Sequence, residues 1–400
     1  MNRFRANPRV LAPLLACLAM LGPFSIDTFF PAFRAMEGHF GVQPAAMQLT
    51  LSTYLIAYAA MSLLHGPLSD ALGRRGVIVY SLLVFALASA GCAVSTRFET
   101  LLFFRAIQGI SAGAGVIVGR AMIRDRFDGP DAQRLMSQVT LIFGVAPAVA
   151  PIAGGWLLSG FGWTSIFWAL GLFAAVLMFV SLAGLPETHP RPRRTRFALK
   201  PLLQTYRAVI GDRLFLLLGF SACLNFSALF VYIASAPAVV LNLLKLGERE
   251  FAWLFVPTIG GMMIGSYLSG RFAGRFSGAR TIQIGYALMA AGTGINLLVS
   301  AVLPPGLPWT VLPIGAIGIG VSLAFPTLSL MMLDRFPAVR GAAASVQMAI
   351  TLTCSAIVSA VISPAVSHGV LPLAVTAAAF TLAGYGMWWW YSSAEQHAKV

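Results

Sequence analysis

The sequence predicts an all-α polytopic membrane protein with twelve transmembrane helices, and three observations predict it. Of 400 residues, 58% are hydrophobic and only 10% charged, with a mean hydropathy of +0.82; a soluble globular chain carries roughly 25% charged residues. A span needs about 20 apolar residues, and the chain reads as six such runs, a basic break, and six more. Strand-type alternation is absent, which argues against an outer-membrane barrel.

The first run, 11–33, follows Arg3, Arg5 and Arg9. It is too long for the core of a signal peptide and is broken by an acid, so it reads as a retained helix whose amino terminus lies inside. Runs at 48–69, 77–95, 100–121, 136–159 and 164–185 complete a six-helix bundle over 1–185. A basic linker, 186–213, carries Arg191, Arg193, Arg194, Arg196, Lys200 and Arg207 among prolines and reads as a solvated connection near the inner membrane surface. The second bundle, 214–400, holds runs at 214–241, 251–272, 281–303, 308–332, 341–366 and 370–392. The last ends in Trp388, Trp389, Trp390 and Tyr391, the composition of an interfacial anchor.

The net charge of +14 does not form one solvated face. Its arginines lie in short clusters between runs, which argues against nucleic acid and for topology control by the lipid bilayer. With the amino terminus inside, Arg74, Arg75, Arg120, Arg124, Arg126, Arg134, Arg271, Arg275, Arg280, Arg335 and Arg340 fall inside, against Arg34, Arg97, Lys245 and Arg249 outside. Both termini are then cytoplasmic. The four cysteines lie inside apolar runs and indicate neither a disulfide framework nor a zinc site. Five scattered histidines assemble no metal site or nucleophilic triad, and the glycine-rich runs lack the Lys-Ser/Thr of a phosphate loop. The reading is therefore not an enzyme, with no cofactor and no metal, and an ion gradient rather than ATP as energy source.

The halves echo each other. Asp125-Arg126-Phe127 ends the fourth span and Asp334-Arg335-Phe336 the tenth, and Ala71-Leu72-Gly73-Arg74 has a degraded partner in Phe272-Ala273-Gly274-Arg275. Aligned on the triplets, Arg105 faces Ile314 and Gln108 faces Ile317, so the second half reads as an apolar wall.

Asp27 is the only acid in the apolar interior of a span and Arg105 the only base. Each costs roughly 2.5 to 3.5 kcal/mol at the centre of a lipid-facing helix, so both should face a cavity or each other. Their depths agree, about 8 to 9 Å below the outer edge of the apolar layer. A buried carboxylate beside a fixed guanidinium suits proton coupling; the plainer alternative is a static ion pair joining helices one and four. Candidate pocket residues are Tyr54 and Tyr58, one turn apart on helix two, Gln108, and Asn225, Phe226, Phe230 and Tyr232 along helix seven. Aromatic walls with few polar groups suit a small lipophilic drug-like substrate. Gly144, Pro147, Pro151, Gly154 and Gly155 make the fifth span bendable and closely packed.

The loop Gly66-Pro67-Leu68-Ser69-Asp70-Ala71-Leu72-Gly73-Arg74-Arg75 carries the pattern Gly-x-Leu-x-Asp-x-x-Gly-Arg-Arg. It resembles the signature between helices two and three of the major facilitator superfamily. That resemblance implies two pseudo-symmetric six-helix halves around a midplane substrate cavity. Gly22-Pro23-Phe24-Ser25-Ile26-Asp27-Thr28-Phe29-Phe30-Pro31 and Arg105-Ala106-Ile107-Gln108-Gly109 resemble the drug:proton antiporter branch, within it the Bcr/CflA subfamily. There the fourth-helix motif is associated with proton transfer, and the substrates are phenicols, bicyclomycin or sulfonamides. Some such exporters carry a second acid where this chain has Ala19 and Met20. The fifth span partly matches the antiporter motif, with Ala146 and Ala150 where glycines are usual. The family also implies a latch in which Asp70, Arg74 and Asp125 cluster near the start of helix eleven, with Gly66, Gly73 and Arg75 shaping the loop.

The implied protein is a proton-coupled efflux antiporter of the bacterial inner membrane, monomeric, taking a drug-like substrate and protons. An importer on the same fold, or a membrane-embedded enzyme or receptor, are the alternatives.

Overall fold

Prolines and glycines, rather than charge, decide where these helices bend and how near they come. The computed structural model describes residues 8–127 and 129–397. Among these residues, twelve helices are long and apolar enough to cross a membrane: Leu11–Phe40, Pro44–Leu72, Arg74–Ala93, Phe98–Arg126, Ile142–Phe161, Thr164–Gly184, Arg213–Ala234, Ala252–Phe272, Gly278–Val302, Leu312–Asp334, Pro337–Val366 and Val370–Glu395. The chain divides into two compact units, Met1–Leu199 and Lys200–Val400.

In the first unit, helix one packs on helix five, helix two on helix four, and helix three on helix six. Helix one is regular over Pro8–Asp27, turns at Thr28, runs as a 3-10 segment at Phe30–Ala32, and resumes over Phe33–Phe40. Pro31 has no N–H to continue the ladder. The irregular turn therefore begins directly after Asp27. Helix four is likewise two segments, Phe98–Ala112 and Ala114–Arg126, joined at Gly113, against which the Tyr58 and His65 rings lie. Helix five, by contrast, is continuous over Gly129–Phe161 through both Pro147 and Pro151.

Close approach is bought by glycine at a few points. A Cβ on Gly154 would fall on the carbonyl oxygen of Thr28, and one on Gly109 on that of Tyr54. Gly66 and Gly144 have nothing within 4 Å of an added Cβ. The expectation of close packing at those two positions is therefore corrected: their glycines are not required sterically.

In the second unit, helix ten lies against helices seven, eight and nine, and helix twelve against seven and nine. Gly261 and Gly265 bring helix eight onto the backbone of helix ten at Gly315 and Ile319. Helices seven and eleven are joined by a disulfide, Cys223 to Cys354, a pairing the sequence reading did not anticipate. Side chains such as Leu172, Phe179, Leu298 and Leu382 stay exposed on the outer faces of helices, as lipid-facing positions do.

The linker is not a plain solvated connection. Its later part forms a helix, Leu199–Gly211, with Tyr206 and Val209 buried and Leu203 and Ile210 exposed. Its earlier part folds onto the loop between helices two and three.

Candidate functional site

Arg105 is fully buried in the first unit, and the sequence around it supplies an acceptor for most of its donors. Its Nε donates to the Thr50 carbonyl (3.2 Å), and its Nη1 to the Ser25 carbonyl (3.1 Å), Ser25 Oγ (3.0 Å) and Gln108 Oε1 (2.8 Å). The guanidinium lies over two rings, 4.4 Å from the centroid of Phe29 and 4.5 Å from that of Tyr54. Gln108 carries the network onward by donating to Ser89 Oγ at 2.7 Å, which ties helix four to helix three. A planar cation set against two aromatic rings and bonded through its fork suits arginine rather than lysine.

Asp27 does not take part. Among the described residues it forms no ion pair with Arg105, and its Oδ1 is buried without a hydrogen-bond partner. Helical geometry gives the reason. Two residues along a helix is about 200° around it, so the helix face that presents Ser25 to Arg105 does not also present Asp27. The Nη2 of Arg105 is the complementary orphan, a buried donor with no acceptor. The static ion pair expected as one alternative is absent; the unit holds an unmatched acid and an unmatched donor near one helix end.

The loop residues do come together. Arg74 is paired with Asp70 at 2.5 Å and with Asp125 at 3.0 Å, and also donates to Ser69 Oγ. Residues after helix six add a strap the sequence reading missed. Glu187 Oε1 accepts from the Arg74 backbone N–H (3.0 Å), Thr188 Oγ1 donates to Asp125 (2.9 Å), Arg194 pairs with Glu187 (3.7 Å), and the Thr195 N–H donates to the Asp70 carbonyl. Arg75 donates to the Leu182 carbonyl. Gly73 sits beneath the strap at φ 99°, where an L side chain would be strained and would strike Arg194 and Glu187. A signal was present: Glu187 is an acid immediately after a span, in a basic linker whose one other acid is Asp212.

The predicted pocket residues separate. Tyr54 is fully buried, with its ring on Arg105 and its hydroxyl donating to the Gly22 carbonyl. Asn225 donates to Met289 Sδ and Tyr232 pairs with Asn296, both toward helix nine. Ser221 bonds Tyr286 and the Gly384 carbonyl. The second unit is thus cross-linked by a buried polar ladder, and the expected apolar wall is corrected to that extent: Ile314 and Ile317 are indeed buried, but helix seven supplies the polar groups. Phe226 stacks on Phe230 at 5.7 Å. Tyr58 packs edge-on to Tyr54. Gly155 and Pro151 are buried within helix five, and Pro147 is half-buried.

The triplet echo also has structural content. Arg335 donates twice to Asp212 (3.0 and 2.7 Å), whose side chain caps helix seven by accepting from the Phe215 N–H, and Asp334 pairs with Arg340 at 2.7 Å. Burial raises the Asp212 carboxyl, but the Arg335 and Phe215 hydrogen bonds and the Arg335 charge outweigh it and hold it below the usual carboxylate range.

Twelve apolar helices, an internal repeat and the clasped Asp70–Arg74–Asp125 loop define a multi-pass transporter of the two-bundle type. The sequence profile of the Major Facilitator Superfamily matches residues 15–364, and the chain belongs to that family. It is 32% identical over 301 residues, 74% of each chain, to an uncharacterized MFS-type transporter, YdgK, of Bacillus subtilis. It is 29% identical over 295 residues, 73% of each, to a bicyclomycin resistance protein homolog of Haemophilus influenzae. It is also 29% identical over 297 residues, 74% of this chain and 70% of the relative, to the chloramphenicol resistance protein CraA of Acinetobacter baumannii.

Proposed function

We propose that this chain is a proton-driven exporter of small, mostly apolar drug-like molecules in a bacterial inner membrane, acting as a monomer by alternating access with both termini in the cytoplasm. Family membership supports transport, the names of the bicyclomycin and chloramphenicol resistance relatives support antibiotic efflux, and the first- and fourth-helix motifs support proton coupling.

One observation carries the coupling: among the described residues, a buried carboxylate oxygen of Asp27 and a buried donor of Arg105 each lack a partner. An ionised carboxylate left in that position would be costly, whereas a protonated one is tolerated. In this reading Ser25 holds Arg105 while Asp27 carries its proton. Loss of the proton creates a charge that must reach Arg105 or water, and the irregular turn after Asp27 lets the end of helix one twist to bring the two together. Proton release and a change of helix packing become one event. The Asp70–Arg74–Asp125 clasp with its Glu187 strap holds the loop in one of the two states.

The test is flux. Everted membrane vesicles containing the protein should accumulate chloramphenicol when their lumen is made acidic, and lose it when an ionophore collapses the gradient. Movement in the opposite direction would favour an importer, and no gradient-dependent movement of any tested compound would reject the reading.

A further inference from the structure

The linker helix Leu199–Gly211 has 13 residues, too few to span a bilayer, and its side chains sort into three strips. At about 100° per residue, Leu199, Leu203 and Ile210 fall within about 40° of one another. Tyr206 and Val209 lie about 70° to one side of that strip, and Lys200 and Arg207 about 70° to the other. The first flank is covered by protein: Tyr206 and Val209 are buried, and Tyr206 reaches Ser345 of helix eleven. The apolar strip is left open, with Leu199 53%, Leu203 56% and Ile210 49% exposed. Lys200 and Arg207 are exposed as well, and among the described residues neither makes a hydrogen bond or an ion pair.

Charge and depth together select what covers the open strip. Just ahead of the helix, Arg191, Arg196 and Phe197 are also exposed. The two acids of the linker are already engaged, Glu187 by the Arg74 N–H and Arg194, and Asp212 by Arg335. The segment therefore presents apolar side chains edged by unneutralised cations, which complements an anionic surface. Depth is marked at the carboxyl end of the helix. Arg213, two residues beyond it, lies 4.9 Å over the ring of Trp390, and Trp389 and Trp390 are exposed near the end of helix twelve. Exposed tryptophans at the end of a span sit at the headgroup level, so the linker helix meets helix seven at that level.

We propose that the linker helix is a docking surface for an anionic phospholipid bilayer: Leu199, Leu203 and Ile210 enter the acyl boundary while Lys200 and Arg207 meet headgroup phosphates. Leucines beside snorkelling cations are the chemistry of a helix lying in the interface plane. The inference depends on neither the substrate nor the direction of transport.

The test is amide hydrogen exchange of residues 199–211 in the full-length protein, held in nanodiscs of phosphatidylcholine alone or with one-quarter phosphatidylglycerol. A Lys or Arg near an anionic surface strengthens binding about five-fold. The wild type should therefore exchange at least about ten-fold more slowly in the anionic discs, and 0.5 M salt should remove most of that difference. Lys200→Gln combined with Arg207→Gln should exchange at one rate in both lipids. Leu203→Ser, at an exposed position that the protein does not cover, should speed exchange at least about three-fold in anionic discs while the thermal midpoint in detergent stays at the wild-type value. Ile210→Ser should do the same and carries the test if Leu203→Ser does not fold. Equal exchange of the wild type in the two lipids, a lipid difference that survives the double charge substitution, or serine variants that exchange like the wild type would overturn the proposal. Slowing that instead appears in detergent as protein concentration rises would assign the strip to a second copy of the chain and overturn it as well.

Discussion

Arg105 bonds Ser25, through both its hydroxyl at 3.0 Å and its carbonyl at 3.1 Å, and leaves Asp27, two residues further along the same helix, unpaired. The cation is thereby satisfied by neutral acceptors and two aromatic rings, which makes it a fixed charge to which an acid can come and go. Its shape matters more than its sign. Arg105→Lys keeps the charge but loses the planar fork that reaches Thr50, Ser25 and Gln108 together. The expected outcome is a loss of roughly 2 to 4 kcal/mol in stability, from broken charge-assisted bonds within a buried network, read as a lowered thermal midpoint in detergent, together with loss of gradient-driven transport. Ser25→Ala, which removes one acceptor and keeps the carbonyl, should cost only about 1 kcal/mol.

Gly73 and Gly66 flank the same loop but answer to different constraints. At Gly73 a methyl group meets strain at φ 99° and the side chains of Arg194 and Glu187; at Gly66 it meets nothing. Gly73→Ala should therefore displace the strap, and Gly66→Ala should leave expression and transport near wild type. Glu187→Gln should behave as a mild form of the first, weakening the cap on the Arg74 N–H by about 1 to 2 kcal/mol while the protein still inserts. Protease sensitivity of the loop is the measurement.

Helix five makes a similar contrast. Gly154→Ala forces a methyl group onto the Thr28 carbonyl, in the turn that follows Asp27. Separation of helices one and five should cost about 1 to 3 kcal/mol and impair transport. Gly144→Ala, in open space, should be neutral or slightly stabilising through helix propensity.

Asp212 provides a pH test outside the apolar spans. Its carboxyl is held below the usual range by Arg335 and the Phe215 N–H once these outweigh burial. A depressed folded value means that the stabilisation is present above the unfolded value, near pH 4, and is lost as pH falls through the folded value. Thermal stability of the wild type should exceed that of Asp212→Asn by about 1 to 2 kcal/mol at neutral pH, and the two should converge below about pH 4. Curves that stay parallel down to pH 3 would contradict the assignment.

Much of this was legible in the sequence because spans, loop motif and repeat are patterns of composition and spacing. Twelve runs became twelve helices with edges displaced by a few residues, as at helix one, where Phe33–Phe40 extends past the predicted end at 33. The loop chemistry was legible for the same reason: Asp70 and Arg74 are four residues apart across the turn at Gly73. Partner choice was not. That Arg105 would take Ser25 over Asp27 depends on helix phase at a proline-disturbed terminus, and a neutral serine carries no signal of burial in a chain where serines are common. The strap was hidden because its partners are remote in sequence: Glu187 lies 113 positions from Arg74, and Thr188 lies 63 from Asp125. Asn225 and Tyr232 read as pocket residues by type, yet their direction on helix seven turns them to helix nine.

The central claim is that the proton on Asp27 governs transport, and one substitution tests it. Asp27→Asn keeps the size of the side chain and removes its titration. In everted vesicles it should yield inserted, folded protein, with wild-type thermal stability within about 1 kcal/mol since no ion pair is broken, and no chloramphenicol accumulation driven by the pH gradient. Accumulation at the wild-type rate, still following the pH gradient, would contradict the account.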